Sequence, residues 1–145
     1  MMISTKGRYA LRVMAALAAA PEGVPVPLKE VAQEEQISEK YLEAIIKGMV
    51  KGGLVVGARG KGGGYRLAKE PGEITILELL EAAEGSLAPV ACLEENRAPC
   101  ARADQCASLP IWQGLDRVIR TYFSGITLAQ LAQQMRERPK GACGI

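Results

Sequence analysis

The sequence predicts a mainly α-helical fold with one small β-hairpin. Three observations carry this. Apolar residues recur at helical spacing along most of the 145 residues. Only two short extended runs, residues 54–56 and 65–67, break that pattern, and they flank a glycine-rich stretch. Near the C-terminus, Ile111, Leu115, Val118, Ile119 and Tyr122 lie at i, i+4, i+7, i+8 and i+11, the stripe of one long helix. The composition, 48% hydrophobic and 23% charged, is that of an ordinary globular chain. A chain of this length can bury roughly 70% of its unfolded surface.

The first helix covers about residues 5–20. Lys6, Arg8 and Arg12 ahead of the apolar residues 13–20 mimic a short signal peptide. Tyr9, Val13 and Leu17, with Ala10, Met14 and Ala18, explain the same segment equally well as an amphipathic helix. Pro21, Gly23, Pro25 and Pro27 break it. Pro27 suits the first turn of a second helix running through Leu28, Val31 and Ala32. Gln36 and Ile37 form a turn, and Ser38 is a good N-cap for a third helix.

In that third helix Leu42, Ile45, Ile46, Met49 and Val50 share one face. Glu39, Lys40, Glu43, Lys47 and Lys51 share the other with the small Ala44 and Gly48. Two short helices, a tight turn and this helix make the helix-turn-helix pattern. There the third helix enters the major groove of DNA, and small residues on its outer face let its backbone approach the bases. Residues 57–64, Gly-Ala-Arg-Gly-Lys-Gly-Gly-Gly, form the loop of a hairpin carrying two bases. The stretch is neither a dinucleotide fingerprint, whose last glycine would fall on Tyr65, nor a P-loop. A helix-turn-helix followed by a basic hairpin is a winged helix. Its Arg59 suits the negative potential of a narrow minor groove, and Lys61 a phosphate.

Thr75 and Glu78 form a capping box for a fourth helix through Leu79, Leu80 and Ala83, which Gly85 ends. Residues 86–110 are mostly irregular. The long helix follows, stopped by Gly125, and Thr127 with Gln130 caps a last helix through Leu128, Leu131 and Met135. The long helix must bury its stripe somewhere, and a second copy of the chain is the simplest partner. The expected organisation is a winged helix-turn-helix DNA-binding domain over residues 1–70 and a connector helix with a cysteine-bearing loop over 71–110. A dimerisation helix with the short last helix follows over 111–138, and a mobile tail over 139–145.

Charge follows the same divisions. Residues 1–70 carry 11 Lys/Arg against 7 Asp/Glu, residues 71–96 carry six Glu and no base, and residues 97–145 carry seven bases and three acids. The net charge of +2 by itself says nothing of a nucleic-acid partner. The sequence has no His, which removes Ser-His-Asp and Cys-His catalysis and most imidazole metal sites. With no acid/base pair in an evident cleft motif, the chain reads as a non-enzyme. No apolar run reaches the roughly 20 residues that span a bilayer, so no membrane partner is expected.

Cys92, Cys100 and Cys106 stand at C-x7-C-x5-C in the irregular stretch. Structural zinc, which prefers paired C-x2-C ligands and a fourth thiolate or imidazole, fits poorly. A disulfide framework is out of place in a chain with its own apolar core, and the thiols suit a reducing cytoplasm. The spacing leaves an iron–sulfur cluster and redox thiols equally open.

Four ordered motifs then carry a resemblance. They are Met1-Met2-Ile3-Ser4-Thr5-Lys6-Gly7-Arg8-Tyr9-Ala10-Leu11, Ser38-Glu39-Lys40-Tyr41-Leu42-Glu43, Arg59-Gly60-Lys61-Gly62-Gly63-Gly64-Tyr65 and Ile126-Thr127-Leu128-Ala129-Gln130-Leu131. Over almost its whole length the chain resembles the Rrf-two (IscR/CymR/NsrR) family of bacterial winged helix-turn-helix transcriptional regulators. The resemblance implies a cytoplasmic homodimer that binds a double-stranded DNA operator, usually as a repressor. It places Lys6, Ser38, Lys40, Tyr41, Glu43, Lys47, Arg59, Lys61 and Tyr65 at the DNA surface. It implies an iron–sulfur cluster, 2Fe-2S ahead of 4Fe-4S, on Cys92, Cys100 and Cys106. CymR-like members instead lack the cluster and respond through a partner protein of cysteine metabolism.

Two departures matter. The first cysteine gap is two residues longer than the common C-x5-C-x5-C. The acid or His that supplies a fourth ligand is replaced by Arg8 or Leu109. Glu94, Glu95, Asp104, Cys143, a residue of the partner subunit or water remain as candidates. Glu43 reads as a discriminator that accepts from a cytosine N4 or repels phosphates, although it also stands four residues before Lys47 as a helix-surface pair. Tyr41 and Tyr65 read as packing residues whose hydroxyls reach phosphates, and Trp112 as a packing residue near the dimer helix.

Overall fold

The computed structural model describes residues 3–138. The tail from residue 139, with the candidate ligand Cys143, lies outside the described residues.

Helix α1 (Thr5–Ala19) starts at Ser4, whose side chain accepts the Gly7 N–H. A second acceptor reaches the same end from far along the chain. The Glu84 carboxylate takes the Ser4 N–H at 2.8 Å, the Ser4 hydroxyl at 2.7 Å and the Gly7 N–H at 3.1 Å. Those donors would otherwise lack intrahelical partners. A Cβ at position 7 would push that carboxylate off the helix end, so glycine leaves room for this cap.

Helix α2 (Leu28–Glu35) uses Pro27 as its N-cap, one position before the first-turn place expected of it. It ends at Gln36 in the left-handed conformation, φ 57°, whose N–H returns to the Ala32 and Gln33 carbonyls. That reversal is the tight turn of the helix-turn-helix pattern, and Ile37 plugs it into the core. Helix α3 (Glu39–Lys51) follows, with Ser38 accepting the Tyr41 N–H at 3.2 Å.

Strands β1 (Val55–Ala58) and β2 (Gly64–Leu67) pair antiparallel, Val55 opposite Leu67 and Ala58 opposite Gly64. The hairpin loop is therefore residues 59–63, shorter than the whole glycine run. Val26, in the proline-rich link, extends the sheet: its N–H and carbonyl pair with the Tyr65 carbonyl and N–H at 2.8 and 2.9 Å. Gly64 permits this approach. Its φ is +156°, and a Cβ would collide with the Val26 carbonyl.

Helix α4 (Ile76–Glu84) opens on the expected capping box of Thr75 and Glu78. The loop after it contains two short 3-10 turns, Ala91–Leu93 and Ala103–Gln105. Helix α5 (Leu109–Ser124) begins two residues before its apolar stripe does. Ser108 is its N-cap and Pro110 lies in its first turn, where a missing N–H is harmless. Helix α6 (Leu128–Glu137) has the second capping box, Thr127 with Gln130.

One core joins most of these elements. Ala10, Val13, Met14 and Leu17 of α1 pack with Val31 and Ala32 of α2, Leu42, Ile45, Ile46 and Met49 of α3, and Leu54 and Val55 at the base of the hairpin. Leu79 and Ala83 of α4 and Leu128 and Ala132 of α6 complete it. A second cluster of Ile76, Leu80, Leu87 and Ile119 fixes the rear of α5 on α4. Backbone bonds from Ile76 N–H to the Ile126 carbonyl (2.9 Å) and from Leu128 N–H to the Ile74 carbonyl (2.8 Å) stitch α6 beside the start of α4. Among the described residues no helix is long and apolar enough to cross a membrane.

Candidate nucleic-acid interface and cysteine loop

Helix α3 turns Leu42, Ile45, Ile46 and Met49 inward and leaves Glu39, Lys40, Glu43, Ala44, Lys47 and Lys51 exposed. Two sequence expectations need correction. Val50 is 44% exposed rather than part of the core face. Gly48 does not keep the outer face thin; it lets α4 close on α3. A Cβ on Gly48 would lie 3.0 Å from the Ala82 carbonyl oxygen, and one on Gly52 would lie 3.0 Å from the Ala82 Cβ. Ala44 alone remains as the small residue of the exposed face.

The hairpin stands beside this face. Together they form an open cleft of about 570 Å³ lined by Lys47, Val50 and Lys51 from α3 and by Ala58, Arg59 and Tyr65 from the hairpin. Arg59 and Lys61 are exposed, and among the described residues no acidic side chain lines the cleft. Three cations thus surround one concave surface, which suits a polyanion. Of the sequence-predicted residues, the fold brings Lys47, Arg59 and Tyr65 together here. Lys40 and Glu43 lie exposed further toward the start of α3, with Ser38 at its cap. Tyr41 is half-buried, its ring edge-on to Tyr9 at 5.7 Å. Lys6, half-buried in the first turn of α1, is outside the cleft lining.

The three cysteines of the loop are all free thiols. Cys92 and Cys100 are exposed and Cys106 is half-exposed. The fold puts them on one loop without gathering them. Among the described residues no three Cys, Asp or Glu side chains converge on a point that would hold a metal ion. Cys106 is distinct: its sulfur lies 3.5 Å from the Ser108 hydroxyl. That hydroxyl first, then the backbone N–H groups of Ser108 and Leu109, hold its pKa below the ordinary thiol value. Of the candidate carboxylates, Glu94 pairs with Arg97 and Glu95 with Arg120, each at 3.7 Å, while Asp104 is exposed.

Arg120 escaped the sequence reading. Its guanidinium meets Glu81 of α4 at 2.9 Å, Asp116 of its own helix at 3.2 Å and Glu95 of the cysteine loop at 3.7 Å. Burial opposes its charge, but Glu81, Asp116 and Glu95 together raise its pKa. Only the Asp116–Arg120 spacing was visible locally.

Among the described residues nothing covers the stripe of α5. Ile111, Val118 and Tyr122 are each 64% exposed and Leu115 is 42% exposed, while Ile119 is buried against α4. Trp112 stands beside the stripe, partly exposed.

A model of the Rrf2 family, described as iron-dependent transcriptional regulators, matches residues 3–134. The HTH-type transcriptional regulator IscR of Cronobacter sakazakii is 34% identical over 131 residues, 90% of this chain and 80% of that protein. Among solved structures, CymR, the global cysteine regulator of B. subtilis, is 35% identical with a TM-score of 0.73, covering 92% of this chain and 98% of the other. IscR of T. potens is 30% identical with a TM-score of 0.68, covering 100% and 93%.

Proposed function

From the premise that the chain belongs to the Rrf2 family of transcriptional regulators, we propose that it is a homodimeric, sequence-specific DNA-binding repressor whose affinity is set by the state of the cysteine loop. The observation that carries this is the cleft joining α3 to the hairpin, ringed by Lys47, Lys51 and Arg59 and open to a duplex.

In that reading α3 enters the major groove. Ala44 admits its backbone, Lys40 and Lys47 contact bases or phosphates, and Glu43 selects by accepting from a cytosine N4. Arg59 enters the minor groove, and Lys61 neutralises a phosphate. The α5 stripe pairs two copies so that two half-sites are read at once.

For the signal, the thiol donors of the loop suit an iron–sulfur cluster, for which the family resemblance favours 2Fe-2S over 4Fe-4S. Three free thiols lie on one irregular segment, and hydrogen bonds hold the pKa of one below the ordinary thiol value. Cys92, Cys100 and Cys106 would hold it, with a fourth ligand from outside this set. When bound it would supply a redox- and iron-sensitive cross-link of the loop. To regulate, it must favour one arrangement of the protein over another.

A second reading is favoured by the separation of the thiols and by Cys106. The same DNA-binding regulator would then respond through thiol oxidation, zinc or a partner protein of cysteine metabolism.

Selection from a pool of random duplexes, followed by titration in salt, tests the first part. The expected result is an enriched, two-fold symmetric sequence and a steep salt dependence. Absent or salt-insensitive binding overturns it. Purification without oxygen tests the second part. A coloured protein with iron and sulfide that bleaches in Cys92→Ala supports the cluster, whereas a colourless, iron-free sample leaves the thiol reading.

A further inference from the structure

Arg120 grips its three acidic neighbours unequally. Its Nε bonds one oxygen of Asp116 at 3.2 Å, and its Nη1 bonds Glu81 at 2.9 Å. The remaining amino group, Nη2, faces Glu95 at 3.7 Å, beyond hydrogen-bond length. Glu95 is 80% exposed, so that pair is weak. Meanwhile the other oxygen of Asp116, Oδ1, is buried with no hydrogen-bond partner among the described residues. Nε and Nη2 form the edge of a guanidinium that grips a carboxylate with two parallel bonds. Beside the loop carboxylate that it holds loosely, the parallel grip would offer Nη2 a second acceptor in the buried Asp116 oxygen, which lacks a donor among the described residues.

Both alternatives bear on α4. Glu81 neighbours Ala82, against which Gly48 and Gly52 of α3 are pressed. Three residues on, Glu84 caps α1. A small turn of the Arg120 head would thus act on the residue beside the α3 contact, within a helix that also holds the start of α1. On the other side Glu95 lies three residues after Cys92, so drawing Cys92 toward the other thiols moves the carboxylate that Nη2 holds.

We propose that Arg120 is the positioning residue that couples the cysteine loop to α3, by exchanging its Nη2 between Glu95 and the buried oxygen of Asp116. This rests on the reading of the protein as a loop-regulated DNA-binding protein. It goes beyond that reading by naming the element with two arrangements that both sites bias, which any account of coupling requires.

The test uses the full-length, reduced, metal-free protein and a duplex enriched from the random pool. The rate at which iodoacetamide alkylates Cys92 is measured with and without that duplex, in wild type, Glu95→Gln and Arg120→Lys. Coupling is reciprocal, so DNA at α3 should change the Cys92 rate in wild type by about two- to fivefold, the scale of an exposed ion pair. In both variants the DNA-free rate should rise and the response to DNA should vanish. Glu95→Gln alters an exposed side chain and leaves the fold intact; Arg120→Lys keeps the charge but loses the fork. A merely structural Arg120 would change the basal rate and leave the DNA response. A DNA response of equal size in all three proteins overturns the proposal, and so does a wild type that binds DNA with no change at Cys92. Failure to bind any duplex overturns the functional reading instead.

Discussion

Replacing Val118 by Asp is the sharpest perturbation of the proposed dimer. The side chain is 64% exposed in the single chain, so its loss there is nearly free; surface changes of this kind usually lie within about 0.5 kcal/mol. In a dimer paired through α5 the same side chain is buried twice. Fully burying an aliphatic side chain contributes about 2 kcal/mol, so its exposed share contributes a little over 1 kcal/mol per copy and about 2.5 kcal/mol per dimer. The four stripe residues Ile111, Leu115, Val118 and Tyr122 together expose a little over two whole side chains per protomer. They contribute about 10 kcal/mol to a dimer, inside the roughly 4–15 kcal/mol that association costs. The balance is narrow, and one position can tip it. Two carboxylates buried unpaired in the interface would add several kcal/mol of desolvation.

The expected outcome is a dimer dissociation constant raised by at least about 100-fold, equivalent to about 2.7 kcal/mol. Sedimentation equilibrium over a concentration series measures it, alongside an unchanged urea midpoint for the dissociated chain. Ile119→Ala is the control. Buried against Ile76, Leu80 and Leu87, it should cost about 2–4 kcal/mol of fold stability and perturb association less. An unchanged dissociation constant for Val118→Asp, or a wild type that never dimerises, would refute the reasoning.

Three further outcomes are expected. Lys61→Ala should weaken DNA binding on all sequences and flatten the slope of log affinity against log salt by about 0.9, while Arg59→Ala should weaken binding most on sites with a narrow minor groove, both read from titrations at several salt concentrations. Gly64→Ala, at φ +156° and against the Val26 carbonyl, should destabilise the hairpin by more than about 1 kcal/mol, seen as faster amide exchange at Tyr65. The pKa of Glu78 is held down, first by the Thr75 backbone N–H and then by Lys69. A depressed folded value means that its contribution is complete above the ordinary carboxylate pKa of about 4.3 and is lost as pH falls through the lower folded value. Glu78→Gln should therefore flatten the acid limb of the stability profile, measured by urea midpoints from neutral pH downward.

What the sequence made legible was local or self-contradictory. The capping boxes at Thr75 and Thr127 were legible because both partners lie within one turn. The turn at Gln36 was legible because Ser38 marks where the next helix must start. The α5 stripe was legible because apolar side chains at helical spacing demand cover, whoever supplies it. Gly48 was misread because a small residue on a helix looks the same whether a base or a neighbouring helix approaches it; only the Ala82 carbonyl decides. Val50 sits at the edge of its helical face, and the hairpin, not the periodicity, determines that it lines a cleft. Arg120 was missed because two of its three acids come from other segments. Cysteine spacing measures loop length, and loop length does not say whether thiols converge.

The anchoring of α5 limits where a signal can act. Its second half is held three ways: Ile119 in the cluster with α4, Arg120 on Glu81, and the chain continuing through Gly125 into α6, which packs in the core with α1. Its first half buries no residue, and the cysteine loop feeds directly into it through Cys106 and the Ser108 cap. A rod fixed at the rear and free at the front responds to force at its tip by tilting about the fixed part. Under the proposed function, drawing the three thiols together would pull on that tip, with the Arg120 cluster on α4 as the pivot. The same tilt would change the angle between two copies paired through the exposed stripe, and so the spacing of their two α3 helices. Operator half-sites lie a fixed helical turn apart, so a small change at the pivot is read at both ends. Closing Cys92 and Cys106 with a short dithiol-specific cross-linker should therefore alter operator affinity in wild type. It should do so far less in Arg120→Lys, where the pivot has lost its fork.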